Sequence, residues 1–262
     1  MAQRERIYFI SDIHLGMSPK EDSSQREKLL VEWLESIRKD ARELWLLGDT
    51  FDYWFEYRKV VPRGFVRFLG KLAQLSDEGV EIHIFTGNHD VWIFGYLPAE
   101  IGVTVHRESL LKQWNDHTFL LGHGDGLLPS DRSYRLLQRV FKSRGIQWLY
   151  TRIHPNGSTA FAQWWSKLSR NKKDAQVPFL GPDKEHQLIY AREKLAREPG
   201  ISYFIFGHRH IPFDIKISPD SRVICLGDWI NNFTYAVYDG REVLLKQHLP
   251  DRGDIITLDS LN

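Results

Sequence analysis

Cysteine is almost absent from the chain: Cys225 is the only one in 262 residues. An intrachain disulfide is therefore excluded, and the chain suits a reducing compartment. Its neighbours Val223, Ile224 and Leu226 mark Cys225 as a buried strand residue rather than a reactive thiol. Long apolar runs are missing too, and nothing approaches the roughly 20 residues that span a bilayer. The first apolar run, Ile7 to Ile10, is too short for a signal peptide and leads into polar, charged sequence. A cytoplasmic protein with no transmembrane segment is expected. Contact with a membrane surface stays open, since that needs only a patch. Neither sign of charge dominates: the formal net charge is +1, which points to no obligatory nucleic-acid partner. Internal repeats and low-complexity tracts are likewise absent. What remains is 42% hydrophobic and 26% charged residues, an ordinary globular mixture in a length that suits one α/β domain carrying an insertion.

The first half alternates buried-strand runs with helical spacing. Ile7–Ile10, Leu44–Leu47 and Val80–Phe85 read as strands. Between them, Leu30, Trp33, Leu34 and Ile37, then Phe65, Phe68, Leu69 and Leu72, fall at helical intervals. This β-α-β-α-β order predicts parallel strands covered by helices. Leu110–Trp114 and Thr118–Leu121, joined at Asn115-Asp116, predict a hairpin. The last quarter holds short strands at Tyr203–Phe206, Phe213–Ile217, Val223–Leu226, Phe233–Tyr238 and Val243–His248, for which an antiparallel meander is expected. Two sheets packed face to face, with helices outside, follow from this pattern.

The near-neutral total hides an asymmetry. Residues 126–173 hold ten Lys or Arg against the single acid Asp131, leaving 25 basic and 33 acidic residues elsewhere. The same segment carries Tyr134, Phe141, Trp148, Tyr150, Phe161, Trp164 and Trp165. It is either a solvated helical hairpin packed by its aromatics, or a cap that attracts an anionic, partly apolar ligand or an anionic membrane surface.

The chemistry lies in the acids and histidines. Asp12 and His14 follow the first strand, Asp49 the second, Asn88 and His89 the third. His123 follows the hairpin, and His208 and His210 follow the strand ending at Gly207. The carboxyl edge of a sheet is where ligands bind in open α/β folds. Five strand ends would thus aim oxygen and nitrogen donors at one place. Carboxylate, imidazole and amide without thiolate suit divalent Mn, Fe or Zn. A carboxylate can bridge two ions about 3.5–4 Å apart, as in two-metal hydrolysis.

Asp12-x-His14, Gly48-Asp49, Gly87-Asn88-His89-Asp90, Gly122-His123 and Gly207-His208-x-His210 resemble the five motif blocks of calcineurin-like metallophosphoesterases. The resemblance runs from residue 12 to residue 210 and implies an αββα two-sheet sandwich across 1–262, with a helical cap inserted at about 126–180. It implies one ion held by Asp12, His14, Asp49 and His210, and another held by Asp49, Asn88, His123 and His208. Ile10 to Leu15, Gly122-His123-Gly124-Asp125, Asp131, Tyr134 and the basic insert are similar to one subfamily, the UDP-2,3-diacylglucosamine hydrolases. Those enzymes cleave a pyrophosphate in lipid A synthesis, releasing UMP and 2,3-diacylglucosamine 1-phosphate, and their cap holds the acyl chains. That likeness implies a lipid substrate and peripheral contact with the cytoplasmic face of the inner membrane. It further implies substrate contacts at Asp131, Tyr134, Ser169, Asn171 and Lys172. In one respect the sequence departs: the best-known members carry arginine where it has His89, the residue used by the wider superfamily.

These roles predict that His89 serves as general acid to the leaving oxygen or stabilises its charge. Asp90 either orients His89 or caps the next helix. Arg209, between two expected ligands, either binds a phosphate oxygen or faces solvent. Two other functions compete: a two-metal phosphodiesterase acting on nucleotides or nucleic acid, and a metal-stabilised scaffold without catalysis.

Overall fold

The computed structural model describes residues 4–17, 20–171, 178–249 and 254–258. Its first sheet is built from β1 (Arg6–Ile10), β2 (Ala41–Leu46), β3 (Glu81–Phe85) and β4 (Thr104–His106), with β10 (Thr234–Tyr238) and β11 (Val243–Gln247) added on the far side. The strand order is β11-β10-β1-β2-β3-β4. Its second sheet contains β5 (Leu110–Trp114), β6 (His117–Leu121), β7 (Tyr203–Phe206), β8 (Pro212–Ser218), β9 (Ser221–Leu226) and β12 (Ile256–Leu258). There the order is β12-β8-β9-β7-β6-β5. Strands β1 to β4 are mutually parallel, as are β6, β7 and β9. All seven therefore run towards their own sheet's carboxyl edge.

Period-two alternation decides which side chains face which layer. In β1, Ile7 and Phe9 face the second sheet and join Phe119, Leu121, Ile205 and Ile224 in the core between the sheets. Tyr8 and Ile10 face the other way, onto α1 (Lys20–Ile37), α2 (Val66–Asp77) and α3 (Tyr96–Ile101). The helical spacing predicted for Leu30, Trp33, Leu34, Phe68 and Leu72 is what buries them against this face. On the outside of the second sheet, α7 (His186–Arg197) packs Leu188 and Ala191 against Phe204, Phe206 and Cys225. The resulting layers are helix, sheet, sheet, helix, and Cys225 is fully buried as expected.

The meander is corrected. Strands β8 and β9 form one hairpin around Pro219-Asp220, and β10 and β11 form another around Asp239-Gly240. Yet β7 pairs with β9 in parallel, and β10 crosses to the first sheet to pair with β1. Turn chemistry specifies each hairpin locally, whereas the choice of sheet is a tertiary matter that local pattern does not carry. The predicted hairpin at Asn115-Asp116 is present, with Asn115 left-handed at φ 50°.

Between β6 and β7 the chain leaves the sandwich as α4 (Arg132–Lys142), α5 (Arg144–Tyr150) and α6 (Pro155–Asn171). These helices rest on a satellite cluster in which Tyr53, Phe55, Val91 and Trp92 meet Phe141 and Tyr150. Trp92 Nε1 donates to the Phe141 carbonyl at 2.9 Å, and the hydroxyls of Tyr53 and Tyr150 lie 3.2 Å apart. Among the described residues, no helix is long and apolar enough to cross a membrane.

One buried charge in the inter-sheet core is fully paired. Glu43 accepts from Arg42 Nη2 at 2.8 Å, Trp45 Nε1 at 3.0 Å and Trp114 Nε1 at 2.9 Å. Glu43→Ala strands two buried indole N–H groups, so we expect a loss of about 2–4 kcal/mol in urea unfolding. A loss below about 0.5 kcal/mol, the range of an ordinary surface change, would remove this pairing from the account of the core.

Candidate metal centre

Tight turns at the ends of β1, β2, β3, β6 and β7 bring their polar residues to one place, at the edge where the two sheets meet. Five of these residues have left-handed backbones: Asp12 (φ 52°), His14 (47°), Asp49 (50°), His208 (69°) and His210 (56°). Each such residue costs about 1–3 kcal/mol and persists only where its surroundings hold it. The restraint is visible as a ladder of backbone bonds. Asp12 N donates to Gly48 O at 3.1 Å, His14 N to Asp49 O at 3.0 Å, and Asp52 N to Leu15 O at 2.9 Å. Gly87 and Gly207 are required by closeness: a Cβ on Gly87 would collide with the Asp49 carboxylate, and one on Gly207 with Ser11 and Asp12.

Two groups of donors result, sharing one oxygen. In the first, Asp12 Oδ1 is 3.1 Å from His210 Nε2 and 3.8 Å from His14 Nε2, while the two ring nitrogens are 3.3 Å apart. In the second, Asn88 Oδ1 lies 3.1 Å from His208 Nδ1 and 3.4 Å from His123 Nε2. Asp49 Oδ2 joins them, 3.7 Å from His14 Nε2 and 3.4 Å from His123 Nε2. Asp12, Asp49, His14 and His123 are all buried, and Asp12 Oδ1 has no hydrogen-bond donor. Converging lone pairs and an unpartnered buried carboxylate oxygen fit divalent cations better than they fit one another. Asp12, His14 and His210 can hold one ion, His123, His208 and Asn88 the other, with Asp49 between.

Second contacts select which ring nitrogen is presented. His123 Nδ1 lies 2.8 Å from Leu47 O, and His14 Nδ1 lies 3.5 Å from Asp52 Oδ1, so both rings turn Nε2 to the centre. Asp52 also faces His89, whose Nδ1 is 3.1 Å from the Asp52 carbonyl and 3.6 Å from Oδ1. Asp90 does neither thing expected of it. Its Oδ1 accepts from Gly87 N at 2.7 Å, and its Oδ2 from Thr50 N at 2.8 Å and Phe51 N at 3.2 Å. It therefore ties the Gly87 turn to the Asp49 turn, while Asp52 orients His89. Sequence reasoning missed Asp52. Its signal was a second acid three residues after Asp49, in the same turn.

The remaining expected contacts divide. Arg209 is not a solvent-facing residue, because Nε and Nη2 bind the buried Glu185 carboxylate at 2.9 and 2.8 Å. Asp131 stands at the root of α4, accepting from Leu128 N at 3.3 Å, with His186 Nδ1 at 3.8 Å. Tyr134, Ser169 and Asn171 belong to α4 and α6, but their side chains lie outside the described residues, as does all of Lys172.

The field follows from this crowding. Burial opposes the charge on Asp12, but His210 and His14 outweigh it and hold the carboxyl well below the usual range. Burial likewise disfavours charged His14 and His210, yet the carboxylates beside them push the first up to about 9 and the second up to about 10. His208 moves the other way, to about 4, through burial and the nearby His123 charge. Burial, reinforced by Asp49, raises Asp90 to about 7. Raised imidazoles are protonated at neutral pH in the metal-free protein, whereas ligation needs their neutral form. Mn binding should therefore release protons, and affinity should rise with pH towards 9–10, where His14 and His210 lose theirs. Titration calorimetry at pH 7.5 in buffers of different ionisation enthalpy checks this; identical heats in every buffer would contradict it.

Comparison with known proteins agrees with this centre. The family model for calcineurin-like phosphoesterase matches residues 5–212. The UDP-2,3-diacylglucosamine hydrolase of Porphyromonas gingivalis is 42% identical over 255 residues, covering 93% of this chain and 97% of that protein. Proteins of the same name from Aeromonas salmonicida and Haemophilus influenzae are each 28% identical. The first covers 97% of this chain and 94% of its own length, the second 86% and 91%. The chain belongs to the calcineurin-like phosphoesterase family, as a metal-dependent hydrolase of phosphoric esters or anhydrides.

Proposed function

We propose that this chain hydrolyses the pyrophosphate of UDP-2,3-diacylglucosamine, giving UMP and 2,3-diacylglucosamine 1-phosphate. The observation that carries the reading is the 42% identity to the Porphyromonas gingivalis hydrolase along almost the whole of both chains, cap included. The cap supplies a physical reason as well. Leu136, Trp148, Leu149, Phe161 and Trp164 are exposed on helices that also carry Arg132, Arg135, Arg139, Lys142 and Arg144. An apolar surface set among cations suits a ligand with both acyl chains and phosphates. It equally suits peripheral contact with the cytoplasmic face of the inner membrane, where such a ligand would be met.

In this reading residues 126–180 form the cap of a single domain. The cap rests on Tyr53 and Trp92, in the segments that continue from Asp49-Asp52 and from His89. Substrate held under the cap is thereby registered against the reacting centre, and Asp131, Tyr134, Ser169, Lys172 and Arg209 are the contacts we assign to it. Two divalent cations, which we assign as Mn, would supply Lewis acidity when bound. The chain does the rest: Asp12, Asp49, Asn88, His14, His123, His208 and His210 fix where charge is neutralised. His89, with Nδ1 held by Asp52, keeps Nε2 to stabilise or protonate the leaving oxygen.

Two experiments follow. Mass spectrometry after incubation with UDP-2,3-diacylglucosamine and Mn should show UMP and the acylated sugar phosphate, with EDTA abolishing both. No product, from protein that still cleaves a generic phosphodiester, would refute this substrate and leave the centre standing. His89→Ala should lower turnover by about 100-fold or more while metal content, read by elemental analysis, stays at the wild-type value. Parallel loss of metal would make His89 a ligand instead.

A further inference from the structure

A sixth strand end reaches the centre, and none of the motif blocks includes it. Gly227-Asp228 follows β9 in the way that Gly48-Asp49 follows β2, and β9 runs parallel to β7, the strand that delivers His208 and His210. Asp228 is buried, and its Oδ1 accepts from the backbone N–H groups of Ile230, Asn231 and Asn232 at 3.0, 2.7 and 3.0 Å. Three amides on one oxygen immobilise the carboxylate and fix the direction of the other oxygen. That oxygen, Oδ2, lies 3.5 Å from His210 Nδ1.

The same turn holds the neighbours. Asn232 Nδ2 donates to the His210 carbonyl at 2.9 Å, and Trp229 N donates to the Asp12 carbonyl at 3.1 Å. His210 needs such support more than its partners do: its side chain is 38% exposed, against 3% for His14 and 2% for His123. Packing, together with Leu47 O for His123 and Asp52 for His14, locks the latter two rings. For His210 the electrostatic contact to Asp228 must do so, leaving Nε2 turned to Asp12.

We propose that Asp228 is a positioning residue for one ion only. By holding His210 through Nδ1, it tightens the ion bound by Asp12, His14 and His210 and leaves the ion at Asn88, His123 and His208 unaffected. The inference rests on the two-ion reading of the centre. It makes the two sites separable by a residue that touches neither ion.

Asp228→Asn is the test, because the amide oxygen can still accept from the three backbone N–H groups while its NH2 confronts His210 Nδ1. Stepwise Mn binding to the full chain is followed by electron paramagnetic resonance of free Mn, alongside circular dichroism of the metal-free proteins. We expect one dissociation constant to rise 10–100-fold, the usual cost of a lost outer partner, with the other within twofold of wild type. The metal-free circular dichroism spectrum should match the wild type, with a lower melting temperature because the buried Asp228–His210 pair is lost. In a His210→Ala background the same change should have no further effect on either constant, since Asp228 acts through His210. Two unchanged constants, equal weakening of both, additive loss in the double variant, or failure to fold would each overturn the proposal. Wild-type protein that binds fewer than two ions would instead overturn the two-ion reading on which it stands.

Discussion

Two carboxylates, Asp12 and Asp49, lie buried where the carboxyl edges of the two sheets meet, and the architecture around them depends on how that charge is compensated. An ionised carboxylate withdrawn from water costs several kcal/mol unless paired. Among the described residues, the charged neighbours of these carboxylates are the imidazoles of His14, His123 and His210. The carboxylates raise the affinity of those rings for protons, and divalent cations held there would meet the same negative charge. The crowding that makes the centre costly to fold is also what a divalent cation would relieve.

The strand-end turns meet a second demand, since each must project a side chain across an edge instead of back into its own layer. The left-handed residues at Asp12, His14, Asp49, His208 and His210 are how this is done, and the ladder between the turns after β1 and β2 is what sustains them. Asp90 belongs to this system rather than to the chemistry, because it fastens two turns to each other through three backbone amides. Helices α4 to α6 are tied to the same turns through Tyr53 and Trp92. Strand-end turns, strained backbone and inserted helices thus form one connected unit.

Much of this was legible in the sequence. Apolar runs followed closely by Asp, Asn or His marked the strands and the edge together, because the turn after a strand carries the chain out of the core. Helical spacing at Leu30 to Ile37 and Phe65 to Leu72 placed the covering layer, with Phe65 itself just before the helix it announces. What stayed hidden depends on contacts between distant segments. Local pattern could show that β10 is a strand, but not that it crosses to pair with β1. Asp52 and Asp228 are plain acids in turns, and only the fold reveals that each stands behind a histidine. The pairing of Arg209 with Glu185, 24 positions earlier, is equally invisible in the sequence.

Asp49 Oδ2 lies 3.7 Å from His14 Nε2 and 3.4 Å from His123 Nε2, so both groups of donors would depend on it for holding an ion. Elemental analysis of Asp49→Ala beside the wild type, after equilibration with excess Mn and desalting, tests it directly. The account predicts two ions per wild-type chain, and loss of both, together with activity, in the variant. A variant that retains either ion at wild-type occupancy, or that keeps full activity, would contradict it.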